Sequence, residues 1–554
     1  MRGKPNPPAP LAPAGHLRPA GEEGTDLTPC PPSPRGKGGR SSPVSAGGRA
    51  VLSLRRIRQS VQAIALVLFF YLAVAATFPL VSPLPVDLFF RADPLAGLAA
   101  SLSARELAPH ALWALPVALA TILLGRVFCG WLCPLGTTLD VFRFDDRTKR
   151  RDYPRLRPTK HLLLLLLVVG ALLGVLLLAV LDPITLCMRA VGTAILPSLN
   201  LVVTAALLAL YQTGLAPDLV LAVDGLLRPA VLPVQQHTYQ MSVVLAGLLA
   251  GVVALNLLAP RFWCRYLCPL GALLGVLGRA TPLQRRVGPE CTSCGRCVAQ
   301  CKMAAIRPKG FRGDAAECVQ CFDCVDECPE RAIGVRLGWP EPAYSPSRRQ
   351  FLAAAGLGVA GVAVLRVDAS ASGLDQHLVR PPGAAPDFLQ RCIRCSQCVK
   401  VCPTGGLQPA GLQSGWEGLW SPVLVGRLGY CEWSCNACGQ VCPTGAIKPL
   451  ALAQKRKTFI GTAYIDQNRC IPWADQRDCI VCQEMCPLPE KAIVLDPVEV
   501  ADESGGKRVL KRPRVIREWC IGCAICENRC PVPREAAIRV YSLAGSPRER
   551  NLAG

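Results

Sequence analysis

Histidine and charged residues are scarce in this chain of 554 residues. The five histidines form no pairs across its apolar stretches, and no C-x2-C-H segment occurs, so the sequence predicts no haem. The histidines are His16, His110, His161, His237 and His377. Charged residues make up 18% of the chain and hydrophobic residues 51%, which is too apolar for an ordinary soluble protein.

Acidic residues are the rarer charged type, 39 against 61 lysines and arginines, which gives a net charge of +22. The basic residues gather beside apolar stretches, as in RRIR at 55–58 and in the basic loop at 142–160. This is the positive-inside pattern of membrane proteins. No recognition-helix pattern or aromatic-basic motif accompanies the charge, so we predict contact with membrane lipid and no binding of nucleic acid.

Four stretches are each long and apolar enough to cross a bilayer. They lie near 59–81, 109–130, 161–181 and 240–259. We therefore expect a domain of four membrane helices over 51–281, with both of its ends inside the cell. The apolar segment at 194–232 is broken by prolines, and we expect it to be an amphipathic or re-entrant segment at the outer face.

Two other segments have distinctive compositions. Residues 1–50 are rich in Pro, Gly, Ser and Arg, which predicts a disordered cytoplasmic tail in which Cys30 is incidental. Residues 345–372 resemble a twin-arginine export signal, and a fifth crossing or a linker is the alternative. The signal-like residues are Ser347, Arg348, Arg349, Phe351 and Leu352. Residues 369–371, Ala-Ser-Ala, have the form of a cleavage site.

Thirty cysteines in a chain of this length are too many for packing, and the chain is too large to need a disulfide scaffold. Between 282 and 340 the pattern C-x2-C-x2-C-x3-C occurs twice, which is the ligand spacing of a two-cluster [4Fe-4S] ferredoxin. Because the fourth cysteine of each motif ligates the other cluster, two mixed sets are predicted. They are Cys291, Cys294, Cys297 and Cys328, and Cys318, Cys321, Cys324 and Cys301.

Four more such motifs occur between 380 and 545, and each ends in Cys-Pro. Their cysteines are Cys392, Cys395, Cys398 and Cys402; Cys431, Cys435, Cys438 and Cys442; Cys470, Cys479, Cys482 and Cys486; and Cys520, Cys523, Cys526 and Cys530. We expect four further clusters, six in all, with the outer two motifs exchanging their fourth ligands and the inner two doing the same. Structural zinc favours well-separated C-x2-C pairs and does not explain these compressed runs.

Four further cysteines lie in an internal repeat that we call the two cysteine frames. Frame 1 is GRVFCGWLCPLGT at 125–137, and frame 2 is PRFWCRYLCPLGA at 260–272. Their cysteines are Cys129, Cys133, Cys264 and Cys268. A C-x3-C pair on a helix places both thiols on one face. The frames are predicted to hold a further metal centre or to act as redox dithiols, and packing is the alternative.

These motifs together resemble two accessory proteins of periplasmic nitrate reductase. Residues 50–338, with the paired frames, are similar to the NapH-type membrane quinol dehydrogenase. Residues 345–545 are similar to the exported ferredoxin of the NapG and MauM type, through VRPPGA at 379–384, CIRCSQCVKVCPT at 392–404 and CNACGQVCPTGAI at 435–447. The implied fold is an α-helical membrane domain followed by ferredoxin-like α+β iron–sulfur domains.

The resemblance implies a protein of the bacterial inner membrane with its second cysteine-rich part in the periplasm. It would pass electrons from quinol to a periplasmic oxidoreductase or cytochrome, as a quinol dehydrogenase component and not as the terminal catalyst. Two other functions remain open at this point. One is a redox maturation factor for a periplasmic metalloenzyme, and the other is a ferredoxin tethered at the cytoplasmic face.

Overall fold

The computed structural model describes ten stretches of the chain. They are residues 54–142, 152–214, 217–230, 233, 235–308, 310–338, 352–353, 355–363, 378–501 and 506–542, the last preceded by a gap at 502–505. The predicted tail with Cys30, residues 143–151 of the basic loop, Arg348, Arg349 and the cleavage-like site lie outside the described residues.

Eleven helices occur in the described part of residues 54–281, which we call the helical domain. They are α1 Leu54–Ala75, α2 Leu88–Arg91, α3 Pro94–Ala104, α4 Leu115–Leu124, α5 Pro134–Val141, α6 Thr159–Leu172, α7 Pro183–Ala190, α8 Leu196–Gln212, α9 Pro217–Ala230, α10 Ser242–Ala254 and α11 Pro269–Leu277. Proline occupies the first or second position of several of them, where its missing N–H costs nothing.

Two helical runs among the described residues are long and apolar enough to cross a membrane. One is α1, with 22 residues. The other is the 30-residue run Pro183–Gln212, in which a π-helical turn at Val191–Ile195 joins α7 to α8. Four shorter apolar helices accompany them, at Pro94–Ala104, Ala111–Leu124, Ser242–Leu257 and Pro269–Ala280.

The structure differs from two expectations, the crossing at 161–181 and the amphipathic or re-entrant segment at 194–232. The first is interrupted, because α6 ends at Leu172 and Gly174 adopts a positive φ of 82° before a short 3-10 turn at Leu177–Leu181. The expected break near Pro197 is absent, because that proline lies in the first turn of α8, which tolerates it. The long helical run therefore includes residues 194–212, for which the sequence predicts an amphipathic or re-entrant structure.

Residues 282–338 form the first cysteine unit. Its strands β1 Leu283–Val287 and β2 Ile333–Leu337 pair antiparallel, with Arg285 opposite Val335. Two short helices lie between them, α12 Arg296–Gln300 and α13 Asp323–Asp326. This is an α+β arrangement in which the loops carry the cysteines.

Residues 378–542 form the second cysteine unit, which is built from short helices and three two-stranded antiparallel sheets. The helices are α14 Phe388–Arg391, α15 Gln397–Val401, α16 Gly415–Gly418, α17 Ala437–Gln440, α18 Leu452–Lys455, α19 Ile471–Ala474, α20 Val481–Glu484 and α21 Ile525–Arg529. The strands are β3 Leu407–Pro409, β4 Pro422–Leu424, β5 Thr462–Ile465, β6 Ile493–Ala501, β7 Lys507–Val515 and β8 Ile538–Tyr541. The sheets pair β3 with β4, β5 with β8, and β6 with β7.

One apolar core extends from the helical domain into both cysteine units. It contains the four frame cysteines together with Met303 and Val319 of the first unit and Ile393 and Cys395 of the second. Smaller apolar clusters fill the second unit itself. The helical domain and the two cysteine units are therefore packed as one body around this core.

Buried ion pairs connect the first cysteine unit to the start of α1. The guanidinium of Arg58, with a side chain only 1% exposed, donates to Asp323 at 3.0 Å, to Gln62 at 2.9 Å and to Asp140 at 3.3 Å. Lys302 lies 3.1 Å from both carboxylates. A buried charge that loses its partner is strongly destabilising, so these contacts fix the joint between α1, α5 and the first unit.

Replacing Asp323 by Asn should therefore loosen this joint. The variant leaves Arg58 and Lys302 with one fewer counter-charge, and we expect the stability of the joint to fall by about 3 kcal/mol. Guanidinium denaturation followed by protease release of the first cysteine unit measures the change. The matched control is Asp326→Asn on the same helix, whose side chain is exposed. Equal release from the two variants would contradict the assigned role of Asp323.

Candidate metal centres

All six cysteine motifs share one local design. The third cysteine lies in a short helix, and the fourth follows the end of that helix. In the four motifs with strict spacing, both residues beside the second cysteine adopt positive φ. These residues are Ser293 and Gly295, Gln320 and Phe322, Arg394 and Ser396, and Gly522 and Ala524. Six of the eight are not glycine, and such strain persists where function requires a loop to wrap around a centre.

Two cavities in the first cysteine unit are lined by the two mixed sets of cysteines. Cys328 joins the first three cysteines of the earlier motif around a cavity of about 370 Å³. Cys301 joins the first three cysteines of the later motif around a cavity of about 560 Å³. The structure thus brings together Cys291, Cys294, Cys297 and Cys328, and separately Cys301, Cys318, Cys321 and Cys324.

The second cysteine unit pairs neighbouring motifs, which corrects the expected pairing of outer with outer and inner with inner. Cys402 of the first motif lines a cavity of about 410 Å³ with the second motif's Cys431, Cys435 and Cys438. Cys530 of the fourth motif lines a cavity of about 360 Å³ with the third motif's Cys470, Cys479 and Cys482. The partner of a fourth cysteine is set by how the loops pack, and spacing alone does not reveal it.

The two remaining groups follow the same rule. The thiols of Cys392, Cys395 and Cys398 each interact electrostatically with that of Cys442. The thiol of Cys523 interacts with those of Cys520 and Cys486, and Cys526 interacts with Cys523 and Cys520. Motifs one and two, and motifs three and four, therefore exchange their fourth cysteines within the described structure.

The space among the cysteines distinguishes these sites from structural zinc, in which four ligands enclose one ion at about 2.3 Å. Across the described residues, no three His, Cys, Asp or Glu side chains converge closely enough to hold a single metal ion. Four of the groups of four cysteines instead each line one pocket between the loops. Four cysteines that come together from C-x2-C-x2-C loops fit a cluster of iron and sulfide ions.

Burial makes these thiols poor acids. Burial, together with neighbouring thiols, raises the pKa of Cys318, of Cys482 and of Cys523 to about 12 in each case. Such thiols are protonated at neutral pH, and they bind metal only by releasing the proton. Metal binding at these sites is therefore coupled to proton release, as expected for buried thiolate ligands.

The two cysteine frames take a form that the sequence did not predict. In each frame the first cysteine lies in a π-helical turn, Phe128–Leu132 or Trp263–Leu267. The second cysteine then has extended backbone and caps the next helix, α5 or α11. The expectation of one regular helix with both thiols on one face is therefore wrong. π-Helical turns occur frequently at functional sites.

The structure brings the two frames together. All four frame cysteines are buried, and the thiol of Cys133 interacts electrostatically with those of Cys129, Cys264 and Cys268. Another buried thiol of this core, that of Cys187 on α7, also interacts with Cys264. The two repeated frames thus contribute their four thiols to one group.

An arginine of each frame contacts the other frame. Arg261 of frame 2 donates from Nη1 to the carbonyl of Cys129 at 3.2 Å. Arg126 of frame 1 lies against Gly271, where a Cβ would stand 2.8 Å from Nη2 of the arginine and 3.4 Å from Sγ of Cys268. The glycine of the repeated C-P-L-G segment in frame 2 therefore leaves room for a guanidinium.

Asp140 fixes Arg261 in this position. Its two carboxylate oxygens accept hydrogen bonds from Nε and Nη2 of Arg261, both at 2.9 Å. Burial opposes ionisation of this carboxyl, but Arg261 and Lys302 outweigh burial and hold the pKa of Asp140 well below its ordinary value. In frame 1, Nη1 of Arg126 lies 3.3 Å from the carboxylate of Glu317. That carboxylate also accepts a hydrogen bond from Lys160.

Sequence reasoning missed these charged partners of the frames. The arginines carried a signal, because each stands three residues before the first cysteine of its frame. Asp140 and Glu317 carried none, since they lie outside the repeat and reach the frames only through tertiary packing.

Family models match these regions of the chain. A 4Fe-4S binding domain matches residues 109–151 and 242–289, the two segments that contain the frames. A 4Fe-4S dicluster domain matches residues 290–333 and 391–447, and a second one matches residues 314–407. The fold and the cysteine groups together therefore define an iron–sulfur electron-transfer protein of the ferredoxin type.

The chain belongs to the family of MauM and NapG ferredoxin-type proteins. It is 37% identical over 219 residues to the methylamine utilization ferredoxin-type protein MauM of Methylorubrum extorquens, a match that covers 38% of this chain and 93% of the relative. It is 34% identical over 186 residues to the ferredoxin-type protein NapG of Escherichia coli K12, covering 32% and 78%. No solved structure matches the chain.

The pairing of neighbouring motifs can be tested by counting iron. Cys402→Ala and Cys435→Ala should each remove one cluster, about four iron atoms, and the double variant should lose no more than either single one. Cys402→Ala combined with Cys395→Ala should instead lose about eight iron atoms, because those residues line different sites. Exchange between the outer motifs would instead predict that the Cys402→Ala/Cys435→Ala variant loses about eight iron atoms. It would also predict that Cys402→Ala and Cys523→Ala remove the same cluster.

Proposed function

We propose that this protein conducts electrons across the bacterial inner membrane, from the quinol pool to an oxidoreductase or cytochrome in the periplasm. The six groups of four cysteines would hold six [4Fe-4S] clusters. Each cluster supplies one-electron redox chemistry, and the protein binds, positions and insulates it. The protein would thus act as a quinol dehydrogenase component and not as the terminal catalyst.

The observation that carries this proposal is the position of the two cysteine units at opposite ends of α1. At the first end, Arg58 binds Asp323 of the first unit. At the second end, Ala76 and Val86 pack in one apolar cluster with Val401 of the second unit. The 22 residues of α1 span about 33 Å, close to the thickness of a bilayer's hydrocarbon core of about 30 Å.

Helices α4 and α6 also connect the two units. The segment before α4 meets the second unit at Pro109, which lies against Gly445, and the carbonyl of Leu123 at its other end accepts from Thr281 beside the first unit. Helix α6 runs the opposite way. Lys160 at its start bonds Glu317 of the first unit at 2.6 Å, and the carbonyl of Leu176 after its end accepts from Arg394 of the second.

Helix α10 runs in the direction of α4. Just before it starts, the backbone N–H of Gln240 donates to Gln408 of the second unit at 2.8 Å. Just after it ends, Asn256 donates to the carbonyl of Leu139 on α5, the helix that carries Asp140. Helices α1, α4, α6 and α10 therefore alternate in direction, which supports four crossings although α4, α6 and α10 are short.

The distribution of charge supports an inside position for the first unit. Arg55, Arg56 and Arg58 lie at the end of α1 that meets this unit. Arg157 and Lys160, which follow the basic loop, also contact it. By the positive-inside rule this end faces the cytoplasm. The second unit would then face the periplasm, which agrees with a twin-arginine signal at Arg348 and Arg349.

A quinol analogue should reduce the clusters of the purified protein. In anaerobic detergent solution we expect the visible absorbance of the clusters to bleach, and EPR signals of reduced clusters to appear, on the time scale of turnover. Dithionite gives the total that can be reduced. Reduction by dithionite alone would remove quinol as the donor and favour a maturation factor or a tethered ferredoxin.

A reporter fused after residue 545 tests the topology. A reporter that is active only in the periplasm should be active there, and a reporter that is active only in the cytoplasm should be inactive. Fusion of the same reporters after residue 338 should give the opposite result, because the first unit should face the cytoplasm. Cytoplasmic activity at both positions would exclude transmembrane conduction.

A further inference from the structure

The four frame cysteines lie between the two cysteine units. We propose that they hold an additional iron–sulfur cluster, which relays single electrons from the first unit to the second. The direction of transfer rests on the proposed function, whereas the site itself rests on the contacts described below. Electron tunnelling through protein falls exponentially with distance, so two units at opposite ends of a membrane-length helix need an intermediate centre.

Frame 1 is in direct contact with a cysteine loop of the first unit. A Cβ on Gly130 would lie only 2.1 Å from the carbonyl oxygen of Val319, so glycine is required for this approach. The next residue, Trp131, donates its indole N–H to the carbonyl of Gln320 at 3.0 Å. Val319 and Gln320 are the two residues between Cys318 and Cys321. The frame therefore touches the turn that carries two thiols of the nearer cysteine group.

On the other side, α7 lies between the frames and the second unit. Its Cys187 interacts electrostatically with Cys264 of frame 2. Two residues further on, Arg189 stacks on Trp420 of the second unit at 4.6 Å and interacts with Cys395. Because Cys187 and Arg189 are only two residues apart on α7, one short segment of this helix contacts both the frames and the second unit.

The apolar core makes this connection continuous. The frame cysteines, Val319 of the first unit, Cys187, and Ile393 and Cys395 of the second unit all belong to one buried cluster. A site within such a core excludes water. The frame thiols are therefore placed to exchange electrons with both units and are shielded from solvent.

The charge of the site suits a cluster with four thiolate ligands. Such a cluster is an anion, and reduction adds a further negative charge. Arg126 is fully buried and interacts electrostatically with Cys129, Cys264 and Cys268. Its Nε and Nη2 atoms find no hydrogen-bond partner among the described residues. A Cβ on Gly271 would stand 2.8 Å from Nη2 and 3.4 Å from Sγ of Cys268, so both atoms face the same glycine. The guanidinium is thus left to compensate negative charge at the frame sulfurs.

Each step of the relay transfers one electron and needs no other reactant. Each transfer oxidises a centre of the first unit by one electron and reduces the frame cluster by one electron, and the next transfer returns the frame cluster to its oxidised form. No bond is made and no proton moves at the frames. Redox dithiols would instead need two electrons and two protons for each disulfide.

Iron counting on the full-length protein tests the site. The double variant Cys129→Ala/Cys264→Ala should lose the iron of one cluster, and the EPR and Mössbauer spectra of the other clusters should be unchanged. Mössbauer difference spectra then show whether the lost centre had two or four irons. The matched control Cys187→Ala removes a buried thiol of the same core that lies outside the frames, and it should keep all the iron. Unchanged iron in the double variant, or disulfides between wild-type frame cysteines, would overturn the proposal.

Arg126 provides a test that leaves the ligands in place. Arg126→Gln removes the buried positive charge, so the reduced and more negative state loses stabilisation, and the midpoint potential of one cluster should fall. Arg126→Lys retains a charge and should keep that potential closer to the wild-type value. Iron content should be the same in both variants. Identical potentials in wild type and Arg126→Gln would contradict a cluster beside this arginine.

Electron conduction tests the role of the site. Liposomes that contain the full-length protein and enclosed ferricyanide are treated outside with dithionite, and the loss of ferricyanide colour is followed. We expect the double variant to conduct at least 100-fold more slowly than the wild type. Conduction at the wild-type rate would overturn the relay. Quinol takes no part in this assay, so failure of quinol to reduce the protein would leave its result unchanged and would overturn only the choice of donor.

Discussion

The buried carboxylate of Asp140 holds together three parts of the molecule. It binds Arg261 of frame 2 through two parallel hydrogen bonds, and it also meets Arg58 of α1 and Lys302 of the first cysteine unit. A bidentate arginine–carboxylate pair has a defined geometry, and a buried charge without its partner is costly. Helix α1, the frames and the first unit therefore keep a fixed relative position. Because the approach of Gly130 to Val319 occurs at this joint, the spacing between the frames and the nearest cysteine group depends on it.

The cysteine units have a different source of order. Their helices are short, their sheets have two strands, and several loop residues without glycine's freedom adopt positive φ, such as Gln320 and Phe322. Regular secondary structure alone gives such units few stabilising contacts. Thiolate–metal bonds supply folding free energy where a site is absent in the unfolded chain. The strained loops, the buried thiols and the small apolar clusters are thus parts of one design, in which bound clusters would complete the core.

Local spacing and hydropathy predicted much of this arrangement, because both are local properties of the chain. They identified the ferredoxin-type iron–sulfur character, and they located the helices that became α1, α4 and α10. They did not predict features that depend on packing between residues distant in the sequence. Cys402 meets Cys431, Cys435 and Cys438 because neighbouring motifs fold against each other. Hydropathy also did not reveal the end of α6 near Gly174, and the C-x3-C spacing did not distinguish a regular helix from the π-helical turns of the frames.

The continuity of the core has a physical consequence for the contact between the helical domain and the second unit. If the second unit were a separate protein, its contact with the helical domain would have to form anew at each encounter, with the translational and rotational entropy that association costs. In this chain that contact is built into the fold. Arg394 donates to the carbonyl of Leu176, Arg391 pairs with Glu106, and Ile393 is buried among the residues that surround the frames. The distance between the frame thiols and the first motif of the second unit is therefore set by covalent connection and packing, and not by the concentration of a partner.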